Sequence, residues 1–217
     1  VVSCKGTSCQ YGLIDTFGLS EEIHERFFNG YADVKLPHKF KIAVGGCPNN
    51  CVKPDLNDLG IVGQLIPDLD PDCCNGCKKC PVEDICPVKA AKVVDGILEI
   101  NSDECNNCGR CVGKCHFDAI EGGTVGYKIY IGGRWGKSVA HGIPLDRVFT
   151  SREEAMDLIE KTILLYREQG KTGERLSQTV ARIGFENIQA QLLSNDLLER
   201  KQEILNADLH VVGGATC

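Results

Sequence analysis

Four cysteines in two turns have the spacing to hold one metal centre. Cys47 and Cys51 are separated by three residues in Gly45–Cys51, a turn built from Gly, Pro and Asn that can direct two thiolates at one soft metal. A second pair, Cys4 and Cys9, lies in another polar turn near the start of the chain. Each iron of a [4Fe–4S] cubane takes one terminal sulfur, so these four thiolates match one cubane. The alternative is two unrelated pairs of buried thiols, since free cysteine packs as a small hydrophobic residue. Their location in Gly-rich or polar turns favours metal.

A further eight cysteines form an internal repeat. Each run reads C-x2-C-x2-C with a fourth cysteine behind it; the runs are Cys74, Cys77, Cys80 and Cys86, then Cys105, Cys108, Cys111 and Cys115. This spacing matches the bacterial two-cluster ferredoxin run, in which the fourth cysteine of each run ligates the other cluster. We therefore predict two cross-ligated clusters, one on Cys74, Cys77, Cys80 and Cys115 and the other on Cys86, Cys105, Cys108 and Cys111.

Two positions depart from the ferredoxin pattern. The loop from Cys80 to Cys86 is longer than the usual three residues, and His116 stands where proline usually follows the last cysteine. Neither change removes a ligand. Cys73 could replace its neighbour Cys74, but only Cys74 keeps the two-residue gap, so Cys73 is predicted to be a spare buried thiol. Cys217, in a Gly-Gly-Ala-Thr-Cys tail, is predicted to be structurally idle.

The cysteine content is the anomaly in an otherwise ordinary globular composition: 14 cysteines among 217 residues, with 42% hydrophobic and 25% charged residues. A disulfide framework is typical of short secreted chains, whereas this chain is long, opens without a signal-peptide pattern, and clusters its cysteines in C-x2-C runs. We therefore expect metal binding in a reducing cytoplasm, with zinc as an alternative for any single pair. No apolar run approaches the roughly 18–20 residues of a membrane span. The net charge of −6 disfavours nucleic acid as a partner.

Local patterns predict the elements that carry these residues. Ser20 is expected to cap a helix over residues 21–31, and the pair Thr150 and Glu153 to open a helix that continues to about Gln169. Strands are expected at 39–44, shortly after the turn at 57–60, and at 127–131. Shorter helices are expected near 174–183, 186–193 and 196–206.

The composition changes at Pro67, where an acidic, linker-like segment precedes the cysteine repeat. The expected organisation is a first part of one domain at residues 1–69, an inserted ferredoxin module at 70–121, and the second part of the host domain at 122–217. Because the host domain must continue across the insert, Pro67 and Gly123 are expected to lie close together.

A family resemblance rests on several of these motifs together. The pair Cys4 and Cys9, the segment Gly-Gly-Cys-Pro-Asn-Asn-Cys at 45–51, and Asn-Asp-Leu-Gly at 57–60 resemble the cluster-binding half of siroheme sulfite and nitrite reductases. That family uses C-x5-C and C-x3-C, whereas this chain has C-x4-C in the first pair. The inserted ferredoxin is similar to that of the anaerobic and dissimilatory-like sulfite reductases. The segment 132–137 resembles the glycine-rich strand end near the siroheme, and the resemblance extends to about position 150.

The resemblance implies an α+β fold, a siroheme/[4Fe–4S] reductase half-domain with an inserted bacterial-type two-[4Fe–4S] ferredoxin module. It also implies three [4Fe–4S] clusters and siroheme as cofactors. In the family the last cysteine of C-x3-C bridges the cubane to the siroheme iron, which assigns that catalytic role to Cys51. Basic residues in the matching turns would face the carboxylates of the macrocycle, namely Lys5, Lys53, Arg134 and Lys137. The alternative for each is a solvated surface charge.

The implied function is reduction of sulfite to sulfide with electrons from a donor protein or subunit. Nitrite reduction uses the same motifs and is the alternative enzyme activity. The alternative without enzyme activity is a non-catalytic electron-transfer polyferredoxin. Full-length family members are duplicated, and their earlier half supplies most of the residues that grip the substrate anion. The chain is therefore expected to be a fragment that needs this N-terminal half for activity.

Overall fold

The computed structural model describes residues 1–210, a mixed α/β fold. The strands are Val2–Ser3 (β1), Ile42–Gly45 (β2), Leu59–Pro67 (β3), Ala91–Val94 (β4), Ile97–Ile100 (β5), Gly123–Ile131 (β6) and Ile143–Phe149 (β7). The α-helices are Thr16–Ile23 (α1), Pro81–Ile85 (α2), Arg152–Gln169 (α3), Leu176–Ile183 (α4), Phe185–Leu193 (α5), Asp196–Glu199 (α6) and Lys201–Asn206 (α7). Cys217 lies outside the described residues. No helix within residues 1–210 is long and apolar enough to cross a membrane.

The main sheet has five strands in the order β1-β2-β3-β6-β7. β1, β2 and β3 are parallel, while β6 and β7 complete the sheet in antiparallel pairings. All four residues of β2 and the first six of β3 are buried, because these strands lie inside the sheet with both faces covered. The long helix α3 packs its apolar side into the same core as Ile61 and Ile129.

The first helix begins earlier than the sequence predicted. Asp15, not Ser20, is the cap: its carboxylate accepts a hydrogen bond from the backbone N–H of Gly18 at 3.1 Å. The predicted start at residue 21 was therefore wrong, and the Ser20 hydroxyl is buried inside the helix without a hydrogen-bond partner among the described residues. After α1 the chain continues as a π-helical segment, His24–Asn29. Ile23, Phe27 and Tyr31 recur every four residues on one face; Ile23 and Phe27 are buried, and Tyr31 is half-buried.

The capping box of α3 is displaced by one residue from its predicted position. Ser151 and Glu154 form it, rather than Thr150 and Glu153. The apolar stripe of this helix is buried; it consists of Ala155, Met156, Ile159, Ile163 and Tyr166. The single helix predicted at 196–206 is divided into α6 and α7 at Arg200.

The expected proximity of Pro67 and Gly123 is confirmed. The two residues are paired at the last register position of the antiparallel β3–β6 ladder, which runs back to Leu59 and Ile131. The chain therefore leaves the main sheet at the end of β3 and re-enters it beside the point of departure. The residues between them form the two-stranded sheet β4-β5 and a small separate core of Cys80, Val82, Ala91, Leu98 and Ile120.

A buried ion pair ties the start of β3 to α4. The Arg175 guanidinium donates to the Asp58 carboxylate at 2.6 Å, and the backbone N–H of Lys41 donates to the same oxygen at 2.9 Å. Burial raises the pKa of Asp58, and Arg175 opposes that shift. Removal of one member of such a pair leaves an uncompensated buried charge, which costs about 3–5 kcal/mol. The pair therefore holds the helical C-terminal region against the sheet.

Candidate functional site

The first cysteine site lies at one edge of the main sheet. Cys4 follows β1 and Cys47 follows β2, and because these strands are parallel neighbours their carboxyl ends meet. Two glycines allow the close approach: a Cβ atom on Gly46 would lie 2.8 Å from the Cα of Gly6. The Cys4 Sγ accepts a hydrogen bond from the Gly46 N–H at 3.1 Å. The two turns are thus held together by their backbones.

The four thiols of this site are near one another. Burial raises the pKa of the Cys47 thiol, and the neighbouring thiols of Cys51, Cys4 and Cys9 raise it further. Cys4, Cys9 and Cys47 are half-buried, whereas Cys51 is exposed. Cys51 is therefore the member of the set that is accessible from outside the site.

The segment before Cys51 forms a turn, as its Gly, Pro and Asn residues predicted. Asn50 adopts the left-handed conformation with φ of 56°, which asparagine tolerates better than most residues. Its N–H donates to the carbonyl of Cys47 at 3.3 Å, and the N–H of Lys53 donates to the carbonyl of Asn50 at 3.1 Å. These two bonds curl the chain so that Cys47 and Cys51 lie on consecutive turns.

The second cysteine site combines members of both repeats. Cys86 lines the same small apolar cavity as Cys105, Cys108 and Cys111. Burial raises the pKa of Cys111 to about 11, and the thiols of Cys105, Cys108 and Cys86 add to that shift. The fourth cysteine of the first run thus lies beside the three closely spaced cysteines of the second run.

Three of the four remaining thiols lie at the small core of the cysteine-rich segment, and the fourth, Cys77, is half-buried. Cys80 is buried in it, and Cys74 and Cys115 pack against it. The Cys74 Sγ accepts from the backbone N–H of Leu98 at 3.3 Å. The two repeats share a backbone feature, because the third residue of the first C-x2-C turn in each run is left-handed: Gly76 with φ of 58° and Asn107 with φ of 51°.

Cys73 differs from its prediction. It is exposed rather than buried, and its thiol donates to the Asp70 carboxylate at 3.4 Å. This hydrogen bond, together with the nearby carboxylates of Asp72 and Asp118, raises the pKa of Cys73. A thiol that donates to a carboxylate on the surface is outside the set that lies around the small core.

The cysteine-rich segment is fixed to the main sheet next to the first site. The N–H of Leu65 in β3 donates to the Asn107 carbonyl at 2.8 Å. A cavity of about 100 Å³ lies between the two cysteine sites and is bordered by Cys47 on one side and Cys108 on the other. The Arg110 guanidinium covers the Tyr11 ring at 5.3 Å across the same boundary.

The four basic residues of the predicted siroheme site differ in exposure. Arg134 is half-buried, and its backbone exchanges two hydrogen bonds with Ala140 at 2.8 and 3.0 Å, which closes a hairpin over residues 134–140. Lys5, Lys53 and Lys137 are exposed. Arg134 is therefore the least exposed of the four basic residues, and its backbone position is fixed by hydrogen bonds.

Two residues that the sequence reasoning missed connect the Cys51 turn to this hairpin. The Asp55 carboxylate contacts Asn50 on one side and His141 on the other. No motif marks either residue, because the contact joins positions far apart in sequence and depends on the sheet to bring them together.

The donor sets fit iron–sulfur clusters. Backbone N–H groups donate to Sγ atoms at Cys4, Cys74 and Cys105, the last from Asn107 at 3.4 Å, and such bonds tune cluster thiolates. Within residues 1–210 no three His, Cys, Asp or Glu side chains converge on a single metal ion. A cubane requires a different arrangement, with four thiolates spread around its corners.

Comparison with solved structures defines the class of fold. The chain superposes on a crystal structure of dissimilatory sulfite reductase I with a TM-score of 0.62 and 23% identity, covering 88% of this chain and 51% of that one. It also resembles the Mycobacterium tuberculosis NirA protein, with a TM-score of 0.50 and 19% identity over 86% of this chain and 26% of that one. The fold is that of sulfite and nitrite reductase structures.

Residues 1–201 match the family described as the nitrite and sulphite reductase 4Fe-4S domain, and the chain belongs to this family. It is 34% identical to the coenzyme F420-dependent sulfite reductase of Methanocaldococcus jannaschii over 83% of this chain and 28% of that protein. An uncharacterised protein of the same organism is 32% identical over 87% of this chain and 63% of its own length. The nitrite reductase [NAD(P)H] of Bacillus subtilis is 25% identical over 94% of this chain and 17% of that protein. The chain thus spans less than two thirds of each of these relatives.

Proposed function

We propose that this chain is the iron–sulfur and siroheme-binding part of a sulfite reductase, in which electrons pass through ferredoxin clusters to a cubane–siroheme centre. The observation that carries the proposal is the arrangement of Cys4, Cys9, Cys47 and Cys51 at the sheet edge, with Cys51 alone exposed. Three thiolates would hold three irons of a cubane, and the exposed fourth would be shared with the second iron centre. Family membership supports the [4Fe–4S] part of this proposal.

A shared cavity between two of the cysteine sites supports the proposed electron route. The site of Cys86, Cys105, Cys108 and Cys111 adjoins the first site, because Cys108 and Cys47 border one cavity. The site of Cys74, Cys77, Cys80 and Cys115 would be the entry point for electrons from a donor protein or subunit. The module would be inserted at residues 70–121 of the host domain. The hydrogen bond from Leu65 in β3 would keep the module at a constant distance from the main sheet. The cluster of Cys86, Cys105, Cys108 and Cys111 would then stay at a constant distance from the cubane.

Siroheme, when bound, would supply a redox-active iron macrocycle that coordinates sulfite and helps to store electrons for its six-electron reduction to sulfide. The residues on the exposed side of the first site fit such a group. Cys51 offers an accessible thiolate, and the Asn50 side-chain oxygen is buried without a partner among the described residues. Arg134, Lys137, Lys5 and Lys53 would hold its carboxylates. The N-terminal half of the full-length family pattern would supply the residues that grip the substrate anion, so this chain alone is expected to be inactive.

Sulfite is favoured over nitrite as the substrate. The relative with 34% identity is named as a sulfite reductase, and a dissimilatory-type sulfite reductase alpha subunit of Allochromatium vinosum matches over 86% of this chain. The nitrite reductase of Bacillus subtilis, which matches over 94% of this chain, is 25% identical, below the 34% of the first of these relatives. Nitrite reduction is the second candidate, because nitrite is also a small anion that is reduced by six electrons.

The test is a reduction assay on the complete protein with a low-potential dye as electron donor. We expect sulfite to be converted to sulfide, with six electrons consumed per sulfide, and kcat/KM for sulfite to exceed that for nitrite. Equal or greater kcat/KM for nitrite would favour the second candidate. A protein whose clusters are reduced by the dye but which consumes neither anion would be an electron-transfer polyferredoxin, and the proposal would be wrong.

A further inference from the structure

The Asp55 side chain joins two segments on the exposed side of the first cysteine site. It lies in a single 3-10 turn, Pro54–Leu56, shortly after Cys51. Its Oδ1 accepts a hydrogen bond from the Asn50 Nδ2 at 2.9 Å. Its Oδ2 lies 2.8 Å from the Nδ1 of His141, at the end of the hairpin that begins with Arg134. One carboxylate thus contacts both segments.

The backbone of Asp55 makes the same connection. Its carbonyl accepts from the N–H of Gly142 at 2.6 Å. On the opposite strand of the hairpin, a Cβ atom on Gly133 would lie 2.3 Å from that carbonyl oxygen, so only glycine permits the approach. The base of the hairpin is therefore closed directly onto the turn that carries Asp55.

The hairpin is fixed at its base and free at its tip. Beyond its base the residues at its tip are exposed, with Trp135 66% and Val139 54% accessible. Cys51, on the other side of Asp55, is exposed as well. The backbone bonds fix the base of the hairpin, and the side-chain bonds of Asp55 are what connect the exposed Cys51 turn to it.

The carboxylate is suited to accept both bonds. Burial opposes ionisation, but the hydrogen bonds from Asn50 and His141 and the charge of His141 hold the pKa of Asp55 below its ordinary value. An ionised carboxylate offers two acceptor oxygens, one for each partner. Charge-assisted bonds of this type are stronger than neutral ones.

We infer that Asp55 is a positioning residue that fixes the Cys51 turn relative to the Arg134 hairpin, and so sets the width of the space in which siroheme would bind. The inference rests on the proposed function, since it assigns the two segments to opposite sides of the same bound group. Asp55 acts through Asn50 and His141, which are partners of the ligand-bearing segments rather than ligands themselves. Outer residues of this kind typically change cofactor affinity or activity about 10–100-fold.

The test compares four variants and one control variant in the complete, cluster-loaded protein. Asp55→Ala removes both bonds, whereas Asp55→Asn keeps an acceptor for Asn50 and a donor for His141. His141→Ala removes the hairpin bond alone. Asn50→Gly removes the other bond and keeps the left-handed backbone, which glycine adopts without steric cost. Asp33→Ala, at an exposed aspartate, is the matched control.

Two quantities are measured: siroheme bound per cubane, from visible absorption with iron and acid-labile sulfide, and the midpoint potential of the cubane. We expect Asp55→Ala to weaken siroheme binding about 10-fold and to shift the potential. His141→Ala, Asn50→Gly and Asp55→Asn should show smaller losses, and Asp33→Ala should stay near wild type.

Wild-type siroheme affinity and potential in Asp55→Ala would overturn the inference and leave the proposed function intact. Should Asp55→Ala fail to fold, His141→Ala and Asn50→Gly decide the question, because unchanged siroheme affinity in both would equally overturn the inference. A wild-type protein that holds its clusters but binds no siroheme would overturn the proposed function, and the inference with it.

Discussion

Replacement of Cys51 by serine is expected to abolish sulfite reduction while the two ferredoxin clusters remain reducible. Serine offers a hard oxygen where a soft thiolate is needed, so the shared ligand between the cubane and the siroheme iron would be lost. We expect kcat to fall at least about 1,000-fold, as on loss of an essential catalytic group. The measurements are dye-linked sulfite reduction and the electron paramagnetic resonance signals of the reduced clusters.

Cys73→Ser is the matched control for this change. Cys73 is an exposed thiol bonded to Asp70 and is outside the proposed ligand sets, so its replacement should leave activity and cluster content unchanged. If Cys51→Ser retained activity, the assignment of this turn to the siroheme would be wrong, and the polyferredoxin alternative would replace it.

Replacement of Cys86 is expected to damage the cluster of Cys105, Cys108 and Cys111 rather than that of Cys80. The shared cavity places the Cys86 side chain with the second run, although its position in the sequence belongs to the first. Cys86→Ser should therefore lower cluster iron by about one third, because one of three proposed clusters would be lost. Cys115→Ser should have the reciprocal effect on the cluster of Cys74, Cys77 and Cys80.

Double variants identify which thiols share a cluster. Adding Cys108→Ser to Cys86→Ser should cost little more iron than either single change, because both remove ligands from one cluster. Adding Cys80→Ser to Cys86→Ser should remove two clusters. If Cys80→Ser and Cys86→Ser together removed no more iron than either change alone, each run would bind its own cluster, and the cross-ligation would be wrong.

The cysteine sets were predicted from local spacing, because ligands within one turn are positioned by the turn itself. The grouping of Cys47 with Cys4 followed from the chemistry of a four-thiolate centre, and the parallel strands β1 and β2 bring these residues together. The pairing of Pro67 with Gly123 followed from the need of the host sheet to continue across an insertion.

Features that depend on tertiary contacts were missed or misplaced. Asp15 and Ser20 are both good helix caps by residue type, and only the packing of α1 decides between them. β7 was not predicted, since its pairing with the preceding strand β6 is what defines it. Asp55 and His141 carry no motif, and their contact exists only because the hairpin after β6 returns to the turn before β3.

The most direct test of the central claim is Mössbauer spectroscopy of the complete protein enriched in ⁵⁷Fe. We predict iron for three [4Fe–4S] clusters together with one siroheme iron, and magnetic coupling between the siroheme iron and one of the clusters. That coupling should disappear in Cys51→Ser. Three clusters without a coupled siroheme iron, or two clusters alone, would contradict the assignment of Cys51 as the thiolate that joins the two centres.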